Sequence, residues 1–256
     1  MNLILVSGRY PEPAPYHTVD SAIARELADA DCAVRWIVPN GESTLTQPVE
    51  GVRITTVASA IPPFGRVQER LLDGPTEAVL TREIRREMPD LVHLLDYGGC
   101  SSVNASWSAD RMGARNLVSV RVLPTLCHRG DLIHGKGSDC EDWENPNRCA
   151  ECCLIPSPRG LGVLGSGLGR ILGLVRFPVN PYPTPLDFTN RTELLLGGLQ
   201  FASKVAVQTD EERDLVASLR IRPERLEVVP NPSLAARIDL YRRIITDDRN
   251  GAGGAS

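Results

Sequence analysis

No stretch of this 256-residue sequence reaches the ~18 apolar residues of a membrane-spanning helix, so no such span is expected. Its first eight residues have no basic n-region and too short an apolar run for a secretory leader. Lysine is nearly absent, occurring only at Lys136 and Lys204; the remaining basic charge is arginine, which we read as genomic bias. Positive charge is not in excess either. The net charge is −4, which argues against a nucleic-acid partner. There is no internal repeat. With no leader, the expected location is the cytoplasm, where thiols stay reduced. Seven cysteines in that setting favour metal ligation or buried thiols over disulfides.

What the sequence does have is a cysteine cluster. Cys127, Cys140, Cys149 and Cys152 fall in one short segment, the last two as a CxxC pair. Four thiolates suit tetrahedral zinc, which asks only for geometry. Gly130, Gly135, Gly137, Asn145 and Pro146 lie among them with little apolar content. A loop of that kind has no core of its own and is ordered by a crosslink. With four thiolates no position stays open for water, so the expected zinc is structural. Cys153, His128 and His134 are substitute ligands; reduced thiols packed on a sheet are the other reading.

Apolar runs alternate with helical periodicity along the chain. Leu3–Val6, Cys32–Val38, Val52–Val57, Leu91–Leu95, Leu117–Val122, Lys204–Val207 and Leu226–Val229 read as strands. Between them, Val19, Ile23 and Leu27 mark a helix capped by Thr18, and Leu80, Ile84 and Met88 share a face of a helix that Pro89 stops. Further helices are expected at about 101–112 and 189–202 and from the capping box Thr209-Asp210-Glu211-Glu212. This alternation predicts an α/β fold: a Rossmann-like, mostly parallel sheet with helices on both faces and a Cys-rich loop insertion. Ligands then bind at the carboxyl ends of the strands. We expect one domain over 1–232, including a Cys-rich loop at 122–156. A C-terminal helix and tail over 233–256 follow, disordered from about Asp247.

Several segments, read in order, carry a resemblance. Pro89-Asp90-Leu91-Val92-His93, Leu126-Cys127-His128-Arg129-Gly130 followed by Cys140 and Cys149–Cys152, Ala202-Ser203-Lys204-Val205 through Glu212, and Arg222 through Asn231 are the pieces. Together they resemble the N-terminal domain of GT-B glycosyltransferases, in particular the family 4 type, over residues 1 to about 231. The resemblance implies an acceptor-side domain and sugar transfer from a nucleoside diphosphate sugar to an acceptor hydroxyl. The acceptor is then a carbohydrate or glycan, and the nucleotide sugar is the donor substrate. The family's second domain would begin just after Asn231, and its acidic donor-gripping pair has no counterpart here. A separate donor-binding chain is therefore the expected partner. Other departures lie in the site. The family's Gly-Gly loop is replaced by Pro13-Ala14-Pro15-Tyr16, and its Asn-Gly hinge by Asn231-Pro232. Its His-x-His is replaced by His93-Leu94-Leu95, and its His-Asp by Arg121-Val122.

The candidate catalytic residues are Asp96 and His93. A carboxylate at Asp96 accepts an acceptor proton or binds sugar, or instead caps the next helix. His93 ends an apolar strand, where a hydrogen-bonded structural histidine is the competing reading. Tyr16, His17 and Arg121 are candidates for substrate contact. A guanidinium at Arg121 is no base near neutral pH but binds phosphate, or pairs with a carboxylate in the cysteine loop. Cys32 and Cys100 read as structural. The Gly/Leu stretch from Gly160 to Val175 reads as a buried helix, or as an interfacial or partner-binding face; its few basic residues weaken the membrane idea. The alternative to an enzyme is a degenerate, non-catalytic binding or scaffold subunit of a glycosylation system.

Overall fold

A computed structural model describes residues 1–7, 19–39, 44–58, 71–97, 102–120, 122–128, 132, 139–140, 142–154, 184–230 and 233–251. Eight strands form one sheet: β1 (Asn2–Val6), β2 (Ala33–Pro39), β3 (Leu45–Val49), β4 (Val52–Val57), β5 (Leu91–Tyr97), β6 (Asn116–Val120), β7 (Lys204–Val207) and β8 (Leu226–Val228). Their order is β3-β4-β2-β1-β5-β6-β7-β8, and every pairing is parallel except that of β3 with β4. The chain therefore has the expected α/β, Rossmann-like fold. Leu3 through Val6 are fully buried, as a central strand covered on both faces must be.

Eight α-helices are described: α1 (Val19–Asp29), α2 (Gly74–Glu87), α3 (Asn104–Arg111), α4 (Val122–Leu126), α5 (Pro146–Leu154), α6 (Pro185–Gln200), α7 (Asp210–Ser218) and α8 (Leu234–Gly251). Two cores flank the sheet. On one face Val79, Leu80 and Ile84 of α2 pack with Ala105 and Ala109 of α3, Leu195 and Leu199 of α6, and Val216 of α7. On the other, Ala24 and Leu27 of α1 meet Leu240, Tyr241 and Ile244 of α8. Among the described residues no helix is long and apolar enough to cross a membrane.

The structure departs from the sequence reading in several places. β3 was not foreseen. It is an edge strand holding Pro48, which an edge tolerates because the missing N–H faces outward. Glu50 and Gly51, at φ 48° and 80°, form the tight turn joining it to β4. Met88 does not share the buried face of α2. The helix ends at Glu87, Met88 takes the left-handed conformation (φ 44°), and its side chain is 82% exposed. Pro89 disfavours a helical residue before it, and the Met88 N–H still closes the helix on the Ile84 carbonyl. α6 starts at Pro185, four residues before the expected Thr189. Thr184 and Asp187 form a reciprocal capping box there, with the Thr184 N–H donating to Asp187 Oδ2 at 2.7 Å. Val122 opens α4 rather than closing β6. The C-terminal helix runs on to Gly251, past the expected start of disorder at Asp247. The Gly/Leu stretch lies outside the described residues.

Candidate functional site

The sheet order reverses between β1 and β5. From β1 the chain passes through α1 on one face to β2. β5 lies on the other side of β1, with α2 before it and α3 after it on the opposite face. Such a reversal leaves a crevice at the carboxyl ends of the two strands, the usual ligand position in an open α/β sheet. Ser7 closes β1 there. It is fully buried, its N–H bonds the Ile37 carbonyl, and its Oγ accepts from Trp36 Nε1 at 2.5 Å.

β5 bulges at this edge. Leu94 pairs with Val118 and Tyr97 with Val120, so β5 holds one more residue than β6 between the two pairs. Leu91 and His93 face the α8 side, and Val92 and Leu94 the α2 side. The extra residue turns Tyr97 onto the α2 side as well, where it is fully buried. Its hydroxyl donates to the Leu195 carbonyl at 2.6 Å, and burial pushes its pKa well up. Asp96 lies within the bulged end of β5.

His93 is 5% exposed, and both ring nitrogens are engaged. Nδ1 shares a hydrogen bond with the Tyr241 hydroxyl at 2.6 Å, and Nε2 one with Ser119 Oγ at 2.7 Å. Burial, and then the nearby charge of Arg237, push its pKa down to about 3. A neutral, doubly bonded imidazole of this kind orders the sheet–α8 contact. α8 enters from the carboxyl edge after β8 and runs back until Arg242 acts on Cys32 at the start of β2. Arg237 lies one turn before Tyr241 and so nearer the crevice. Its Nη1 is buried and has no hydrogen-bond partner among the described residues. The sequence reading passed over Arg237, since one arginine on an amphipathic helix looks like a solvated charge. Tyr16, His17, Arg121 and Cys100 lie outside the described residues.

The cysteine segment joins the same edge. Thr125 of α4 donates its hydroxyl to the Tyr97 carbonyl at 3.2 Å, and Arg191 of α6 donates Nη1–H to the Thr125 carbonyl at 3.1 Å. The CxxC lies in helix α5 rather than in a loop. Asn145 caps it, its Oδ1 accepting from the Asn147 and Arg148 N–H groups, and Pro146 takes the first helical position. Ala150 packs on Phe188 of α6, with Cys149 and Cys153 against them, and His128 meets Phe188 edge-on. Cys149 Sγ donates to the Trp143 carbonyl at 3.5 Å. Burial first, then the charges of Cys127, Cys140 and Cys152, push the Cys149 pKa up to about 11. Cys127, Cys140 and Cys152 are thus near enough to Cys149 to act on its charge. Arg191, itself 4% exposed, is near enough to Cys127, Cys149 and Cys153 to act on them in turn. Among the described residues no three His, Cys, Asp or Glu side chains converge as metal ligands would. Cys32 is a core residue, as expected.

No protein-family model matches the sequence, and no curated protein matches it. Among solved structures, the chain is similar to sucrose-phosphate synthase from Thermosynechococcus elongatus. One structure has 10% identity, covers 96% of this chain and 100% of the other, and has a TM-score of 0.48. A second covers 90% and 47%, at 10% identity and a TM-score of 0.45. UDP-GlcNAc 2-epimerase from Methanocaldococcus jannaschii is similar at 14% identity, 90% and 45% coverage and a TM-score of 0.43. The chain spans about half the length of the epimerase and of the second synthase structure.

Proposed function

We propose that the chain is the acceptor-side half of a GT-B-type, family 4-like glycosyltransferase. It binds a carbohydrate acceptor and works with a donor-binding domain supplied by a separate chain. The reaction is transfer of a sugar from a nucleoside diphosphate sugar to an acceptor hydroxyl. The observation that carries this reading is the reversal of strand order at β1 and β5. On this reading the acceptor binds in the crevice that such a reversal leaves, and Tyr16, His17 and Asp96 are its proposed contacts. Arg237 supports it, as a half-buried arginine whose Nη1 is buried, has no hydrogen-bond partner among the described residues, and is left to an anionic group of the substrate.

The same reading gives the cysteines a structural zinc that orders the segment after β6. The influence of Cys127, Cys140 and Cys152 on Cys149 supports it, as does the buried positive charge of Arg191, which would offset the surplus negative charge of four thiolates. As placed, the thiols must close in on the ion; metal binding and local folding are then one step.

A non-catalytic subunit is the second reading. His93 favours it, because both nitrogens are bonded and its pKa is near 3, so it offers no base to a substrate. One experiment separates the two. The chain is purified from its native source with whatever binds it and assayed for nucleoside diphosphate release from nucleotide sugars. On the first reading the chain alone is inactive, and turnover appears with a co-purifying chain that carries a second Rossmann-like domain. A stable complex with no turnover on any nucleotide sugar supports the second reading and sinks the first.

A further inference from the structure

A second feature lies away from the crevice, on the outer face of α2 and α3. A cleft of about 850 Å³ runs between them, lined by Arg82, Arg85 and Arg86 of α2, by Trp107 and Arg111 of α3, and by Glu77 of α2, whose carboxylate accepts from the Ser102 hydroxyl. Four guanidinium groups gather there in a chain whose net charge is −4. Two of them are committed. Arg82 pairs with Glu83 at 3.4 Å, and Arg86 pairs with Glu83 and Glu87. Arg85 and Arg111 have no carboxylate partner among the described residues. Arg111 is instead held over the Trp107 ring, 4.5 Å from its centroid. That contact tethers the guanidinium on an exposed residue.

Trp107 is 37% exposed and also lines a second groove, of about 570 Å³, between α3 and α6. Leu194, Gly197 and Phe201 form its apolar part, Asn104, Asn190 and Glu193 its polar part, and Phe201 is 40% exposed. The face therefore changes character along one continuous path, basic at Arg85 and Arg111, aromatic at Trp107, apolar at Phe201. A single inorganic anion satisfies only the first part of this path. A flat lipid surface does not follow two grooves.

We propose that this face binds an acidic, amphipathic peptide segment of a partner protein. Carboxylates pair with Arg85 and Arg111, and an apolar side chain covers Trp107 and Phe201. Charge complementarity selects the acidic residues, and the second groove selects a peptide over a free anion. The proposal is independent of the sugar-transfer reading, since it uses no residue of the crevice.

The test is fluorescence anisotropy with a fluorescein-labelled peptide of alternating Glu and Leu. An all-Glu peptide, a Lys/Leu peptide and phosphatidylglycerol vesicles are the comparisons. The expected result is saturable, salt-sensitive binding of the Glu/Leu peptide alone. Arg85→Glu and Arg111→Glu each weaken it roughly tenfold, the scale of one charged contact. Trp107→Ala removes the preference for Glu/Leu over all-Glu. These side chains are exposed, and circular dichroism checks that the variants fold; Arg85→Gln and Arg111→Gln replace any that do not. Unchanged binding in the arginine variants, no saturable binding, or stronger binding of the vesicles through the same arginines overturns the proposal.

Discussion

The imidazole Nδ1 of His93 lies 2.6 Å from the hydroxyl of Tyr241, joining β5 to α8 across 148 residues of sequence. Because the His93 pKa falls to about 3, the folded chain resists protonation that the unfolded chain accepts near pH 6.5. The stability this gives is present in full above the unfolded value and is lost as pH falls from about 6.5 towards 3. Between pH 7 and pH 5 the loss should be about 2 kcal/mol. Urea unfolding at the two pH values measures it, and His93→Gln should remove most of the difference. An equal difference in wild type and variant would show that His93 does not carry it.

Arg237 leaves Nη1 buried without a partner among the described residues. An orphaned donor costs stability, so Arg237→Met should be neutral or stabilising by about 1 kcal/mol. It should also weaken the binding of an anionic substrate, and the acid sensitivity traced to His93 should shrink. A calorimetric scan at pH 7 and pH 5 reads both stability effects. A clear drop in Tm at pH 7 would mean that the guanidinium is structurally required.

Gly198 permits the contact of α6 with β5. A Cβ there would stand 2.1 Å from the Tyr97 hydroxyl and 2.7 Å from the Val103 carbonyl. Although alanine favours helices over glycine, Gly198→Ala should destabilise by about 2 kcal/mol through the overlap. Gly197 has nothing among the described residues within 4 Å of its Cβ position, so Gly197→Ala should be neutral or slightly stabilising. Denaturant midpoints for the pair test the contrast.

Met88 sits at φ 44° with an exposed side chain. Met88→Gly removes the left-handed penalty and loses almost no burial, so it should stabilise by up to about 1 kcal/mol. A Tm unchanged or lowered would count against the strain.

The zinc proposal predicts close to one equivalent of metal in protein purified without chelator; less than about half an equivalent speaks against it. Cys149→Ser should reduce metal content and folding yield more than any activity. After chelation Cys149 should react slowly with thiol reagents near neutral pH, since its pKa lies at about 11. Arg191→Met should weaken metal retention. Full retention would leave Arg191 a purely structural residue.

The parallel strands and most helices were legible because their apolar spacing is a local property. Leu3–Val6 and Leu91–Leu95 read as buried strands; both are strands, buried but for the partly exposed Leu95. Thr209 caps α7 as its spacing suggests, accepting from the Glu212 N–H. The errors fell on short-range signals that were passed over. Asn145-Pro146 opens α5, Thr184-Pro185 opens α6, and Glu50-Gly51 closes the hairpin that makes β3 a strand despite Pro48.

The sequence by itself determined the α/β class, the buried central strands and the presence of a thiol-rich segment, since periodicity and residue type act over a few residues. Only the tertiary structure decided which face each group meets. The β5 bulge sends Tyr97 to α6, while His93 turns to α8. Arg237 is left with a buried Nη1 that has no partner among the described residues, and Arg191 is buried near enough to Cys127, Cys149 and Cys153 to feel their charge. These partners lie tens of residues or more away in sequence, and no local pattern encodes a contact that exists only once the sheet has closed around it.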